Sequence, residues 1–291
     1  MQLSTERWRE RGHFAKLLGH EIFSVDSGAL DKPTIVLIHG FPTCSWDWAP
    51  IWDSLARTHR LVAMDLLGFG FSDKPNPHRY SIIEQADLCE ALVEDRKLDT
   101  FHVLAHDYGD TVAQELLARQ NAGNGVGSWS SVCFLNGGLF PETHQARLIQ
   151  KLLLSPLGPM INQLSTKRTF DRSFSAVFGP RTKPSADELE EFWRLINYKD
   201  GKHAFHSLIT YMTDRKEHRD RWVGALQQSV VPIALINGSV DPVSGAHMVA
   251  RYREVVSPNH FIVELAEIGH YPQVEAPAVV VDAYLRFLRQ L

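Results

Sequence analysis

Cysteine is scarce in this chain of 291 residues: Cys44, Cys89 and Cys133 lie far apart. They make neither a disulfide framework nor a zinc-ligand spacing, so a reducing, cytoplasmic setting is the expectation. Long apolar runs are missing as well. No stretch approaches about eighteen apolar residues, which argues against a membrane span. The opening MQLSTERWRERGHF is charged and has no apolar stretch of signal-peptide type. Neither sign of charge dominates, since 30 basic against 34 acidic residues leave −4. That balance calls for neither nucleic acid nor an anionic membrane surface. Repeats and low-complexity tracts are also absent. What remains is 44% hydrophobic and 22% charged, enough to bury one large core, with or without an insertion.

Short apolar and β-branched runs alternate with helical patterns, which predicts a mainly parallel sheet covered by helices. The predicted strands are 20–25, 34–39, 60–65, 101–105, 130–135, 232–237 and 260–265. Most are apolar throughout, as strands covered on both faces should be. Helical patterns fall near 48–58, 81–96, 110–119, 245–255 and 277–291. The alternation stops after Leu135 and resumes at Pro232. The stretch between is too long for a structureless loop and predicts an inserted helical cap. This divides the chain into a core at 1–138 and 229–291 and a cap at 139–228. Gly68, Gly70 and Ser72 follow a strand but lack the third small residue of a dinucleotide fingerprint. The glycine-rich 121–128 follows a helix and reads as a surface connection.

The strongest chemical signal is Ala105-His106-Asp107-Tyr108-Gly109, between the apolar FHVLA and the helical DTVAQELLARQ. A small-x-nucleophile-x-small sequence between strand and helix is a nucleophile elbow, whose tight turn lifts the central side chain above the sheet. The apex here is Asp, and no Gly-x-Ser-x-Gly occurs. Taken alone, Asp107 reads equally well as a helix N-cap. Three further segments decide the matter. His39-Gly40-Phe41-Pro42 ends a strand, Asp241 follows the strand PIALIN, and His270 follows FIVELAEI. Nucleophile, acid and His in that chain order, each after a predicted strand, predict an α/β-hydrolase fold. The oxyanion hole would then be the amides of Phe41 and Tyr108, each worth about 3 kcal/mol. His106 is expected to pack or hydrogen-bond under the elbow.

The segments HGFP, DLLGFGFSDKP, HDYGD, VDPV and GHYPQ resemble the epoxide-hydrolase and haloalkane-dehalogenase branch of the α/β hydrolases. LGFGFSDKP, HDYGDTVAQELL, NGGLFPETH, FGPRTKPS, RWVGAL and HYPQVEAP are similar to the group of vertebrate mesoderm-specific transcript proteins and their bacterial relatives. This likeness runs from about residue 34 to the C-terminus.

A carboxylate with a reference pKa near 4 is already ionised at neutral pH. Attack on an acyl ester would give a labile anhydride, whereas attack on a saturated carbon gives a stable alkyl-enzyme ester. His270, oriented by Asp241, would activate water to hydrolyse it, with no metal or organic cofactor. The resemblance implies cap tyrosines as donors to an epoxide oxygen, and Tyr211 matches the second in spacing. The first has no counterpart, since 138–163 contain no Tyr. Tyr198 is the substitute, and Trp193 is the cap residue that would hold a halide. Dehalogenases of this branch usually place Trp directly after the nucleophile, where this chain has Tyr108, and often Asn where it has Phe41. Epoxide hydrolysis is therefore the leading expectation and dehalogenation the alternative, with a non-catalytic binding or signalling role behind both. The expected partner is a small apolar substrate, an epoxide or a halide, with the chain as monomer or homodimer. His203 and His206 lack nearby carboxylates for a metal site, and DRKEHRDR (214–221) reads as a solvated helix face.

Overall fold

A computed structural model describes residues 3–291. Its eight strands are β1 (Gly12–Leu17), β2 (His20–Asp26), β3 (Thr34–Ile38), β4 (Arg60–Met64), β5 (Thr100–His106), β6 (Ser128–Leu135), β7 (Ile233–Gly238) and β8 (Phe261–Leu265). They form one sheet in the order β1-β2-β4-β3-β5-β6-β7-β8. β1 and β2 run antiparallel to their neighbours, and β3 to β8 are mutually parallel.

The helices that cover the sheet begin with α1 (Thr5–Glu10), α2 (Ala49–Leu55), α3 (Ile82–Asp95) and α4 (Tyr108–Asn121). An insertion between β6 and β7 holds α5 (Leu148–Leu153), α6 (Gly158–Gln163), α7 (Lys167–Ser175), α8 (Ala186–Asn197), α9 (Phe205–Leu208), α10 (Tyr211–Glu217) and α11 (Arg219–Gln227). The chain closes with α12 (Ala246–Val255), α13 (Pro272–Glu275) and α14 (Pro277–Leu288).

Alternate residues of each central strand enter opposite cores. Val36, Ile38, Val103 and Phe134 pack with α3, α4, α11 and α12 on one face. Ile35, Leu37, Leu104 and Leu135 pack with α2 and α14 on the other. This double coverage is why the strands read as unbroken apolar runs. β1 was not expected from the sequence. It is an edge strand in which only Leu17 is buried, joined to β2 by Leu18-Gly19, both with positive φ, as a two-residue hairpin turn requires.

The insertion has two differently placed parts. Residues of α5 to α7 stand over the C-terminal ends of the parallel strands. α11 instead packs on α4, where Trp222 Nε1 donates to Glu115 Oε2 at 2.8 Å. The three cysteines are buried and unpaired. Among the described residues, no helix is long and apolar enough to cross a membrane.

Candidate active site

The parallel strands deliver four loops to one edge of the sheet. Phe41 follows β3, Asp107 follows β5, Asp241 follows β7 and His270 follows β8. The turn at Asp107 is sharp, with φ 48° and ψ −105°. A non-glycine residue in this region carries roughly 1–3 kcal/mol of strain, sustained only where the surroundings enforce it. Gly109 shows why: a Cβ there would lie 2.2 Å from the Ile38 carbonyl oxygen. Helix α4 therefore runs hard against the end of β3, and the turn has one way to go.

The structure brings the expected groups together. The Phe41 amide donates to Asp107 Oδ2 at 3.1 Å. His270 Nδ1 donates to Asp241 Oδ2 at 2.7 Å, and His270 Nε2 lies 3.8 Å from Asp107 Oδ1. That separation is electrostatic contact rather than a hydrogen bond. Asp241 also accepts from the Val243 and Ser244 amides, the Ser244 hydroxyl and Asn136 Nδ2. Tyr108, the first residue of α4, places its amide beside Asp107 at the positive end of the helix.

One participant was not anticipated. Arg215, on α10, is buried and donates from Nη2 to the Asp107 carbonyl at 3.1 Å, with Asp107 Oδ1 at 3.8 Å. Nε donates to Thr111 Oγ1 at 2.7 Å, and the guanidinium lies 4.5 Å from the Tyr211 ring centroid. The sequence conceals it inside DRKEHRDR. Most of that run is exposed or half-buried, and Arg215 alone turns inward. The signal available was its spacing, one helical turn after Tyr211.

Burial by itself would raise the Asp107 carboxyl, but His270 and Arg215 outweigh it and hold it well below the usual carboxylate range. Burial would likewise lower His270, yet Asp241 and Asp107 raise it well above 6.5. Asp241 is held low against its own burial by His270. At rest, two carboxylates thus face an imidazolium and a guanidinium, and the buried cluster is charge-balanced. His106 lies beneath, donating from Nε2 to the His270 carbonyl at 2.7 Å. Burial pushes its pKa down to about 4, so it is neutral.

A cavity of about 260 Å³ opens above Asp107 and His270. Its walls are chiefly Phe41, Leu153, Ile161, Phe170, Phe174 and Tyr271. Three expected residues do not line it. Tyr211 is buried in the wall behind, with ring centroids 5.0 Å from Tyr108 and 6.1 Å from Phe41. Trp193 packs on Phe170. Tyr198 points to the N-terminal region, where Arg9 donates to its hydroxyl and Phe71 meets its ring. The substrate-contact expectation for Trp193 and Tyr198 is corrected accordingly. Each side chain satisfies its aromatic face on a neighbour away from Asp107. No cluster of three or more His, Cys, Asp or Glu able to hold a metal ion occurs among the described residues.

The eight-stranded, mostly parallel sheet, with Asp107, Asp241 and His270 gathered at its strand ends, has the architecture of an α/β hydrolase. The chain belongs to the alpha/beta hydrolase family, which it matches over residues 35–283. It is 45% identical over 291 residues to the human mesoderm-specific transcript homolog protein, covering 97% of this chain and 87% of that one. It is 40% identical over 285 residues to LipZ of Mycobacterium tuberculosis, covering 98% of each. Among solved structures, a loop variant of the haloalkane dehalogenase DbeA from Bradyrhizobium elkanii superposes with a TM-score of 0.81 at 21% identity, over 96% of both chains. The epoxide hydrolase CorEH superposes with a TM-score of 0.76 at 20% identity, over 96% of this chain and 98% of that one.

Proposed function

We propose that the protein hydrolyses epoxides to vicinal diols through an ester on Asp107. The observation that carries this reading is a buried, ionised carboxylate at the elbow, touching the Phe41 amide and facing His270. An ionised carboxylate needs no base to attack a saturated carbon. Asp107 forms a bond to one ring carbon as the ring C–O bond breaks, and the oxygen takes up a proton. We assign that proton to Tyr211, whose phenol stays protonated because burial and Asp107 raise its pKa. Tyr211 packs behind Phe41 in the resting wall, so this assignment requires its phenol to come open to the cavity when the substrate binds. Once Asp107 is esterified, His270 loses one of the two carboxylate neighbours that raise its pKa. Its imidazolium becomes a stronger acid, returns a proton through solvent to the Tyr211 phenolate, and is left as a neutral imidazole able to act as base. It then takes a proton from water, which attacks the Asp107 carbonyl. The Phe41 and Tyr108 amides receive the oxyanion, and collapse, with the proton on His270 passing to the departing alkoxide, releases the diol and restores the Asp107 carboxyl group. On this reading the helices between β6 and β7 act as the cap that sizes the pocket.

Dehalogenation is the second reading, favoured by the same nucleophile and by the likeness to DbeA. Against it, Trp193 lies off the cavity and offers no N–H to a departing halide.

The test is intact mass of a His270→Gln variant after incubation with epoxides and haloalkanes. A gain equal to a whole epoxide supports the leading reading, and a gain of an alkyl group with halide release supports the second. No gain on a folded variant with either class defeats both.

A further inference from the structure

Fourteen large apolar side chains are exposed among the described residues, and seven of them lie between Leu148 and Leu164. The others are scattered singly. Within this stretch five of the seven share sides of their helices, while Ile149 lines the cavity beside Leu153. Leu157, Met160 and Leu164 follow i, i+3, i+7 along α6 and its ends, and Leu148 and Leu152 follow i, i+4 on α5. Leu148 is 72% exposed, Leu157 58% and Leu164 70%. The other side of the same helices is occupied, since Leu153 and Ile161 line the cavity. A contiguous outward apolar face of this kind marks an interaction surface.

Its charge says what it meets. From Thr143 to Phe170 the chain carries Arg147, Lys151, Lys167 and Arg168 and no acidic residue, although the whole chain is −4. Lys151, Arg168 and the adjacent Arg172 are exposed, and no ion pair among the described residues involves them. Lys167 alone is neutralised, by Asp171 at 2.8 Å. Apolar side chains flanked by unpaired cations are the pattern of helices that lie in a bilayer interface.

We propose that the outer face of α5 and α6 docks on an anionic phospholipid bilayer, with the helices lying in the interface and the cavity roof turned to the lipid. A second copy of the chain fits the surface poorly, because a two-fold contact sets its own cations against one another. Docking would also place the two helices that wall the cavity against the phase in which an apolar substrate concentrates.

The test is flotation of the full chain with vesicles of phosphatidylcholine alone and with vesicles that also contain phosphatidylglycerol. The chain is expected to float with the anionic vesicles, less with the neutral ones, and less at high salt. Leu157→Asp with Met160→Asp should cut partitioning at least about tenfold through lost apolar insertion. Lys151→Glu with Arg168→Glu should cut it at least about twentyfold, at roughly fivefold per charge near the surface. None of these residues lines the cavity, so unchanged circular dichroism and melting confirm that each variant is folded. Failure of the wild-type chain to float with anionic vesicles at low salt overturns the proposal. So does flotation that neither variant reduces. A dimer in sedimentation velocity that Leu157→Asp with Met160→Asp dissolves, without lipid binding, gives the face to a second copy instead.

Discussion

Replacing Arg215 by Met should change which half of the proposed reaction is slow. In the resting site the guanidinium lies 3.8 Å from Asp107 Oδ1, with both side chains buried. At an effective dielectric of about 20, one pair of unit charges at that distance attracts by about 4 kcal/mol. This attraction favours every state in which Asp107 is negative. It is present before attack, absent in the neutral ester, and present again as the tetrahedral oxyanion forms. Arg215 therefore gives no help to alkylation, where charge leaves Asp107, and helps hydrolysis, where charge returns. With half to all of the charge restored at the transition state, about 2–4 kcal/mol is lost in the variant. Ester hydrolysis then slows roughly 30- to 1,000-fold, while alkylation keeps its rate or rises. Ester should accumulate during turnover, visible as a mass increase on Asp107 in acid-quenched samples, with a burst of one diol equivalent absent. Arg215→Lys, which keeps the charge but not the paired donors to Thr111 and the Asp107 carbonyl, should retain most of the hydrolysis rate. A folded Arg215→Met enzyme that loses turnover without accumulating ester would refute the reasoning, because the loss would then lie in the first step.

Three other perturbations have signs set by the structure. His270 is raised against its burial by Asp241 and Asp107, so its interactions stabilise the fold fully below about pH 6.5. That stability is lost as pH climbs through the raised folded value. Melting temperature of the wild type should thus fall across the alkaline side, and His270→Gln should flatten that fall; parallel profiles would contradict the assignment. Trp222→Phe removes a hydrogen bond to the Glu115 carboxylate, which Arg119 and Arg221 still hold. Denaturant unfolding should show a loss of about 2 kcal/mol with turnover on a soluble substrate unchanged. Phe174→Ala removes a buried ring that stacks on Phe170 and walls the cavity. It should destabilise by about 3–5 kcal/mol and shift kcat/KM towards bulkier substrates, and an unchanged size preference would argue that the substrate sits elsewhere.

Much of the architecture was legible because burial on both faces leaves a plain mark. The strands from Thr34 to Leu265 are apolar runs, and the loops that follow four of them carry Phe41, Asp107, Asp241 and His270. What escaped notice lacks such a mark. β1 buries only Leu17, so its sequence lacks the apolar run of a strand covered on both faces. Arg215 is one cation among neighbours that stay wet, and only the meeting of α10 with the elbow turns it inward. Asn136, at positive φ just after β6, ties Gly238 to Asp241. A lone Asn in NGG does not announce a cross-strand clamp. Trp193 and Tyr198 went wrong for the opposite reason, since helix position alone does not say which neighbour an aromatic side chain covers. A total of −4 likewise averages over the basic segment from Arg147 to Arg168, which no net charge can display.

The clamp of α11 on α4 through Trp222 and Glu115 has a consequence for how this insertion can change. Arg215 sits on the adjacent α10, immediately upstream of that clamp, and is bonded to Thr111 and the Asp107 carbonyl, so it is tied to the same core as Asp107. The helices from Leu148 to Ser175 carry the cavity wall and none of the resting site's charge. Drift in them can retune what enters without disturbing the charged groups around Asp107. A chimaera that exchanges lids between relatives should therefore be spliced before Tyr211. A junction placed at the end of α11 would exchange Arg215, the cation beside Asp107, along with the entrance.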